Sequence, residues 1–99
     1  MEVDYDDEAR DEAMDAAAWY EARQENLARR FLRKWKEAEN RVAADPGINR
    51  RFSGEFRLCR FDVFPYALVY RIVGEGTVQI VAVMHRSRKP GYWKSRHDG

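Results

Sequence analysis

The apolar residues of this chain change their spacing once, at Asp45-Pro46-Gly47, and that switch decides what the chain can fold into. Ahead of it they recur every three or four residues, the period that lines one face of a helix. Ala9, Ala13, Ala16, Ala17 and Tyr20 form one such stripe, opening at about Asp6 on a run of acids that favours a helix N-terminus. Leu27, Phe31, Trp35, Ala38 and Val42 form a second, from about Glu25 to Ala44, with Arg29, Arg30, Arg33, Lys34 and Lys36 elsewhere on the cylinder. Proline and glycine then end the helix. In front of both, Glu2 to Tyr5 predicts a short edge strand.

Beyond the switch the period falls to two. Phe56 to Val63 alternates, and Phe64-Pro65-Tyr66 interrupts it. Ala67 to Val73 and Thr77 to Met84 read as strands joined by a tight Gly74-Glu75-Gly76 hairpin. Both are apolar on most positions of both faces, which places them mid-sheet with the helices over one face. His85 to Gly99 is too polar and too rich in Gly and Pro to be core. The expected class is α+β in one domain: a helix hairpin over about 6–44, a three-stranded antiparallel meander over about 54–86, and a basic tail over 85–99. Ninety-nine residues, 44% of them apolar, support one modest core without metal or disulfide staples.

A single cysteine, Cys59, has no partner for an internal bridge and fits a reducing compartment. Its alternating neighbours make it a half-buried strand residue rather than a reactive thiol. No apolar run approaches the roughly 20 residues of a membrane span, and the acidic opening lacks the features of a secretory leader. A cytoplasmic protein with no cofactor, metal or membrane partner is expected. The net charge of +1 conceals a polarity. Residues 1–25 carry ten acids and two bases, while the remainder carries seven acids and sixteen bases. Five of those bases and no acid lie between His85 and His97. Such a surface suits a polyanion or an acidic segment of a partner.

A sheet ending at Met84 delivers His85, Arg86 and Arg88 to its rim. Lys89-Pro90-Gly91 then bends the chain so that Tyr92 and Trp93 fold back toward them. Arginine and lysine offer phosphate contacts, and the aromatic rings offer faces for stacking. Arg57, on a neighbouring strand, is expected to join this concave surface, with Lys89, Trp93 and Arg96 completing a binding set. Competing structural readings stand beside these. His85 is either an acid–base group or a strand-end histidine bonded to backbone. Trp93 reads more simply as a pin holding the tail to the sheet, Tyr66 and Tyr70 as core rings, and the acidic first helix as a solvated face. Arg86 and Arg88 are hardest to explain structurally, because adjacent strand-end cations are costly to hold together without a ligand.

Three ordered stretches resemble the RelE/ParE toxin superfamily: Ala17-Ala18-Trp19-Tyr20-Glu21 with Asn26-Leu27-Ala28-Arg29-Arg30-Phe31, then Phe64 to Ile72, then Val81 to Trp93. The resemblance implies the toxin of a bacterial type II toxin–antitoxin pair, a growth inhibitor of the kind that stabilises plasmids. It also implies a cognate antitoxin whose C-terminal segment wraps and masks the toxin. The superfamily hosts two activities on one scaffold, so fold alone does not choose. One branch binds DNA gyrase; the other cleaves messenger RNA on the ribosome. Cleavage needs a base, an acid and cations for the transition state. In that case His85 would be the acid or base, Arg86 and Arg57 the charge stabilisers, and Tyr92 a stacking or protonating group. Two departures favour the ParE branch and gyrase: Ala67 stands where the nucleases tend to carry a polar residue, and no lysine lies between Arg41 and Arg88. The Phe64-Pro65-Tyr66 opening and the His85-to-Trp93 tail are also more similar to ParE. A plain nucleic-acid-binding or regulatory module ranks last, since no recognition helix with a basic face is evident.

Overall fold

A computed structural model describes residues 1–97. Its elements are β1 (Glu2–Tyr5), α1 (Asp7–Arg23), α2 (Leu27–Ala44), β2 (Arg51–Ser53), β3 (Phe56–Arg60), β4 (Tyr66–Val73) and β5 (Thr77–His85), followed by a short 3-10 turn (Lys94–His97). The strands form one sheet in the order β1-β5-β4-β3-β2, with β1 parallel to β5 and the other neighbours antiparallel. The expected α+β architecture holds, and the two apolar strands lie inside the sheet. The short edge strand expected at Glu2–Tyr5 is β1, which runs parallel to β5, and a three-residue strand that was not expected, β2, extends the other edge.

Ala9, Ala13, Ala16 and Ala17 are all buried on the inner side of α1. Side chains this small let α1 lie close against both α2 and β5, its neighbours in the fold. Phe31 of α2 is fully buried at the centre of the layer, ringed by Tyr20, Phe61, Phe64 and Tyr66 at centroid distances of 5.3–5.5 Å. Below it Leu68, Tyr70, Val78, Ile80 and Val83 supply the helix-facing side of the sheet. Cys59 is buried on that same side. Trp35 departs from expectation. It is only partly buried, and its indole N–H donates to the Tyr5 hydroxyl at 2.7 Å, which in turn donates to Glu39 at 2.8 Å. Helical spacing put it on the correct stripe but at the stripe's margin.

The opposite face of the sheet is not left to solvent. Val69, Val81, Ala82 and Met84 form a second core beneath Trp93, flanked by Phe56, Leu58 and Tyr92. Trp93 is completely buried, 4.6 Å from the Phe56 ring and 5.8 Å from Phe52, so the tail contributes core after all. A bulge makes this face continuous. Val69 pairs with Ala82 but Tyr70 pairs with Ile80, leaving Val81 without an opposite number. Val81 and Ala82 therefore both face the tail, and the alternation beyond them is reversed. Val83 and His85 are turned to the helix side by that extra residue.

The helix connection is tied by a carboxylate. Glu21 accepts hydrogen bonds from the amides of Asn26 and Ala28, each at 3.0 Å, at the start of α2. These amide donors hold its pKa below the usual carboxylate value, the Asn26 amide foremost. A depressed folded-state pKa contributes stability above the unfolded value, and that contribution is lost as pH falls through the folded one. Glu21→Gln should therefore lower stability at neutral pH and flatten the acid limb of a melting-temperature profile, beginning near the unfolded value of about 4.3. Phe31→Ala should cost roughly 3–5 kcal/mol in chemical denaturation as a large-to-small core change. Trp35→Ala should cost clearly less, and equal losses would mean that the margin position is as critical as the centre.

Candidate functional site

The rim of the sheet is where β5 runs out of partners. His85, its last residue, pairs with Tyr66, and one residue later the Arg86 amide still donates to the Pro65 carbonyl at 2.8 Å. The chain then turns, with the Arg88 amide donating to the His85 carbonyl at 3.0 Å. A second turn follows at Gly91, whose φ of +88° favours glycine, and it carries Tyr92 and Trp93 back over the sheet.

The other edge of β5 is satisfied in an unusual way. The short β1 accompanies β5 only as far as the Tyr5–Ile80 pair. Beyond it the Val83 amide donates to Glu12 of α1 at 3.1 Å, and the Val81 carbonyl accepts from Arg96 at 2.9 Å. Glu12 and Arg96 also pair with each other, at 3.1 and 3.2 Å, and both are four-fifths buried or more. Two side chains thus do the work of a missing strand. The Glu12 carboxylate further accepts a short hydrogen bond from the Tyr92 hydroxyl. Burial, and then that bond, push the Tyr92 phenol far above its ordinary pKa. The Arg88 guanidinium lies 3.8 Å from the Tyr92 ring centroid, a close cation–π contact.

Between α1 and this rim runs a groove of about 570 Å³, lined by Glu12, Trp19, Tyr66, His85, Arg88 and Tyr92 among others. The His85 ring stands edge-on to Tyr66 at 5.0 Å. Its Nδ1 accepts the Ser87 amide at 3.0 Å. The Ser87 hydroxyl lies 2.7 Å from the same nitrogen, so Nδ1 is taken up within the turn.

Of the residues singled out from sequence, the fold brings together His85, Arg88 and Tyr92. The Arg86 and Lys89 side chains are exposed beside them and make no hydrogen bond or ion pair among the described residues. Trp93 and Arg96 are instead consumed in anchoring the tail. Arg57 does not join the surface. It lies opposite Tyr70, four residues along β4 from Tyr66 and so roughly 13 Å away, and its guanidinium donates to the carbonyls of Gly47 and Asn49. Ala67 is fully buried and offers nothing to a phosphate. Glu12 is the residue that sequence reasoning missed, together with Asp6, which accepts from Gln79 at 2.7 Å. The acidic helix is more than a solvated face. The signal for Glu12 was its place three residues after Ala9 and four before Ala16, on the flank of the buried stripe. Among the described residues no three His, Cys, Asp or Glu side chains gather as metal ligands. No described helix is long and apolar enough to cross a membrane.

The profile of the ParE toxin of type II toxin–antitoxin systems, parDE, matches residues 3–90. The chain belongs to the ParE toxin family. The branch expected from the Phe64-Pro65-Tyr66 opening and the tail is therefore the branch found. Toxin ParE1 of Mycobacterium tuberculosis, from strains CDC 1551 / Oshkosh and H37Rv, is 36% identical over 61 residues, or 60% of this chain. The match spans 61% of the length of those relatives. In three dimensions the chain is similar to one from the chromosomal ParDE TA system of P. aeruginosa, with a TM-score of 0.64 at 15% identity. That likeness is one of fold and covers 86% of this ParE chain and 95% of the other. Tyr92, Trp93 and Arg96 lie beyond the residues matched to the family profile.

The division between rim and anchor is measurable. Trp93→Ala should cost roughly 3–5 kcal/mol and strip the cover from Val69, Val81 and Met84, which a hydrophobic dye would report. Arg86→Ala should leave the melt within about 0.5 kcal/mol of wild type.

Proposed function

We propose that this ParE-family chain arrests bacterial growth by binding an essential cytoplasmic target, DNA gyrase foremost, and that a cognate antitoxin neutralises it by masking the basic rim. The observation that carries this reading is how the charges at the rim are used. The Arg86 and Lys89 side chains project without partners among the described residues and Arg88 is presented on an aromatic shelf, an arrangement suited to contact rather than to chemistry. The groups that RNA cleavage would need for protons are already engaged. The His85 Nδ1 is occupied by Ser87 within the turn, and the Tyr92 hydroxyl is given to Glu12 with its proton held tightly. The aromatic groove beside the rim supplies a surface along which an antitoxin segment can lie.

Ribosome-dependent cleavage of messenger RNA is the second reading, and it rests on His85, Arg88 and Tyr92 sharing one groove. Purified toxin in two assays, gyrase supercoiling and cleavage on programmed ribosomes, separates the two. We expect inhibition of supercoiling, weakening as salt screens the rim, and no cleavage. Arg86→Ala and Arg88→Ala should abolish both that inhibition and growth arrest while the protein stays folded. Cleavage that disappears in His85→Ala, with supercoiling untouched, would establish the nuclease instead. Co-expression of the antitoxin should restore growth in either case.

A further inference from the structure

Glu12 lies 80 residues before Tyr92 in the chain and meets it at the rim. Three separate elements converge on its carboxylate: β5 through the Val83 amide, the tail through the Tyr92 hydroxyl, and the closing turn through Arg96. We propose that Glu12 is the positioning residue of the basic rim: it fixes the Tyr92 ring, and the fixed ring holds Arg88 in place over the groove. This goes deeper into the binding reading of the rim and rests on it for its functional half.

The argument runs from what would otherwise be free. An exposed arginine samples many rotamers, and stacking confines it only if the ring beneath it is itself confined. Tyr92 belongs to a turn, outside the strand ladder, and its ring has two soft torsions. Its hydroxyl is held by Glu12, and Arg96 approaches the same ring at 5.2 Å. Arg96 is in turn held by Glu12 and by the Val81 carbonyl. Beside its packing on the second core, both polar restraints on the ring therefore trace back to one carboxylate. Glu12 itself is well anchored. It sits mid-helix on α1, flanked on the inner side by the buried alanines, and the Val83 amide that it accepts belongs to a central strand. Rigidity passes from helix to carboxylate to ring to guanidinium. An acid is required for this, because only an acceptor with two oxygens can take an amide, a hydroxyl and a guanidinium together.

The test reads Arg88 directly. In the full-length protein, the Arg88 side-chain protons above the Tyr92 ring should carry an upfield ring-current shift in NMR spectra. Glu12→Gln and Tyr92→Phe should each remove most of that shift while the β4 and β5 amide signals stay in place. The double variant should look like Glu12→Gln alone, since Tyr92→Phe removes only a bond that Glu12→Gln already breaks. In parallel, gyrase affinity should fall by about tenfold in each variant, which corresponds to about 1.4 kcal/mol. An Arg88 shift retained in folded Glu12→Gln would overturn the proposal, as would losses that add in the double variant. If Glu12→Gln fails to fold, Tyr92→Phe decides alone, because it leaves the Glu12 bonds to Val83 and Arg96 intact. Loss of the shift with gyrase affinity unchanged would also overturn it. Should wild-type protein leave gyrase untouched, the binding reading fails, and the ring-current arm still decides whether Glu12 positions Arg88.

Discussion

Two adjacent strands with no polar face impose the central constraint on this fold. β4 and β5 present apolar side chains on both sides, so each side must be covered. The helix hairpin covers one and the C-terminal tail the other, under Trp93. The site follows from that arrangement. To pass from one face of the sheet to the other, the chain must cross its end, and the residues that make the crossing cannot be buried. Arg86, Arg88 and Lys89 occupy this crossing. Their exposure is a consequence of where the chain has to go, and the apolar anchor beyond them keeps the crossing short and ordered.

Two smaller devices then set the chemistry of the rim. The extra residue Val81 reverses the alternation of β5, so that His85 points into the groove beside Tyr66 instead of beneath the tail. The shortness of β1 leaves the outer edge of β5 uncovered past Ile80. A bare edge inside a partly buried region would strand its amides and carbonyls. The Glu12–Arg96 pair meets that need and at the same time ties α1 to the tail. An ion pair of this kind stabilises mainly because its groups also satisfy backbone that nothing else reaches.

Much of the architecture was readable from periodicity. The two helices, the stop at Asp45-Pro46-Gly47 and the Gly74–Gly76 hairpin were all carried by spacing and turn chemistry. What periodicity does not carry is depth, register and long-range pairing. Trp35 and Phe31 share a stripe, yet a stripe roughly 100° wide does not say which of them is central. Arg51–Ser53 is too short to show alternation, so β2 went unseen. Arg57 was placed on the correct neighbouring strand, but its position along that strand depends on register with Tyr70. Glu12 and Arg96 look like ordinary surface charges in sequence, because their partnership spans 84 residues and exists only once the tail has folded back. Trp93 is the instructive mixed case. The segment around it is polar enough to read as surface, while the single large ring carries the contact that matters.

The placement of Trp93 also has a bearing on how the protein can be taken apart. The stretch from Arg86 to Pro90 is exposed and contains three basic residues, and everything that covers the second face lies beyond it. A trypsin-like protease that cut there would break the chain connection to Tyr92, Trp93 and Arg96 in one step. Without them Val69, Val81 and Met84 are bare, while the helices remain closed over the other face. One nick at the rim thus reaches a core that no cut in a helix surface would open.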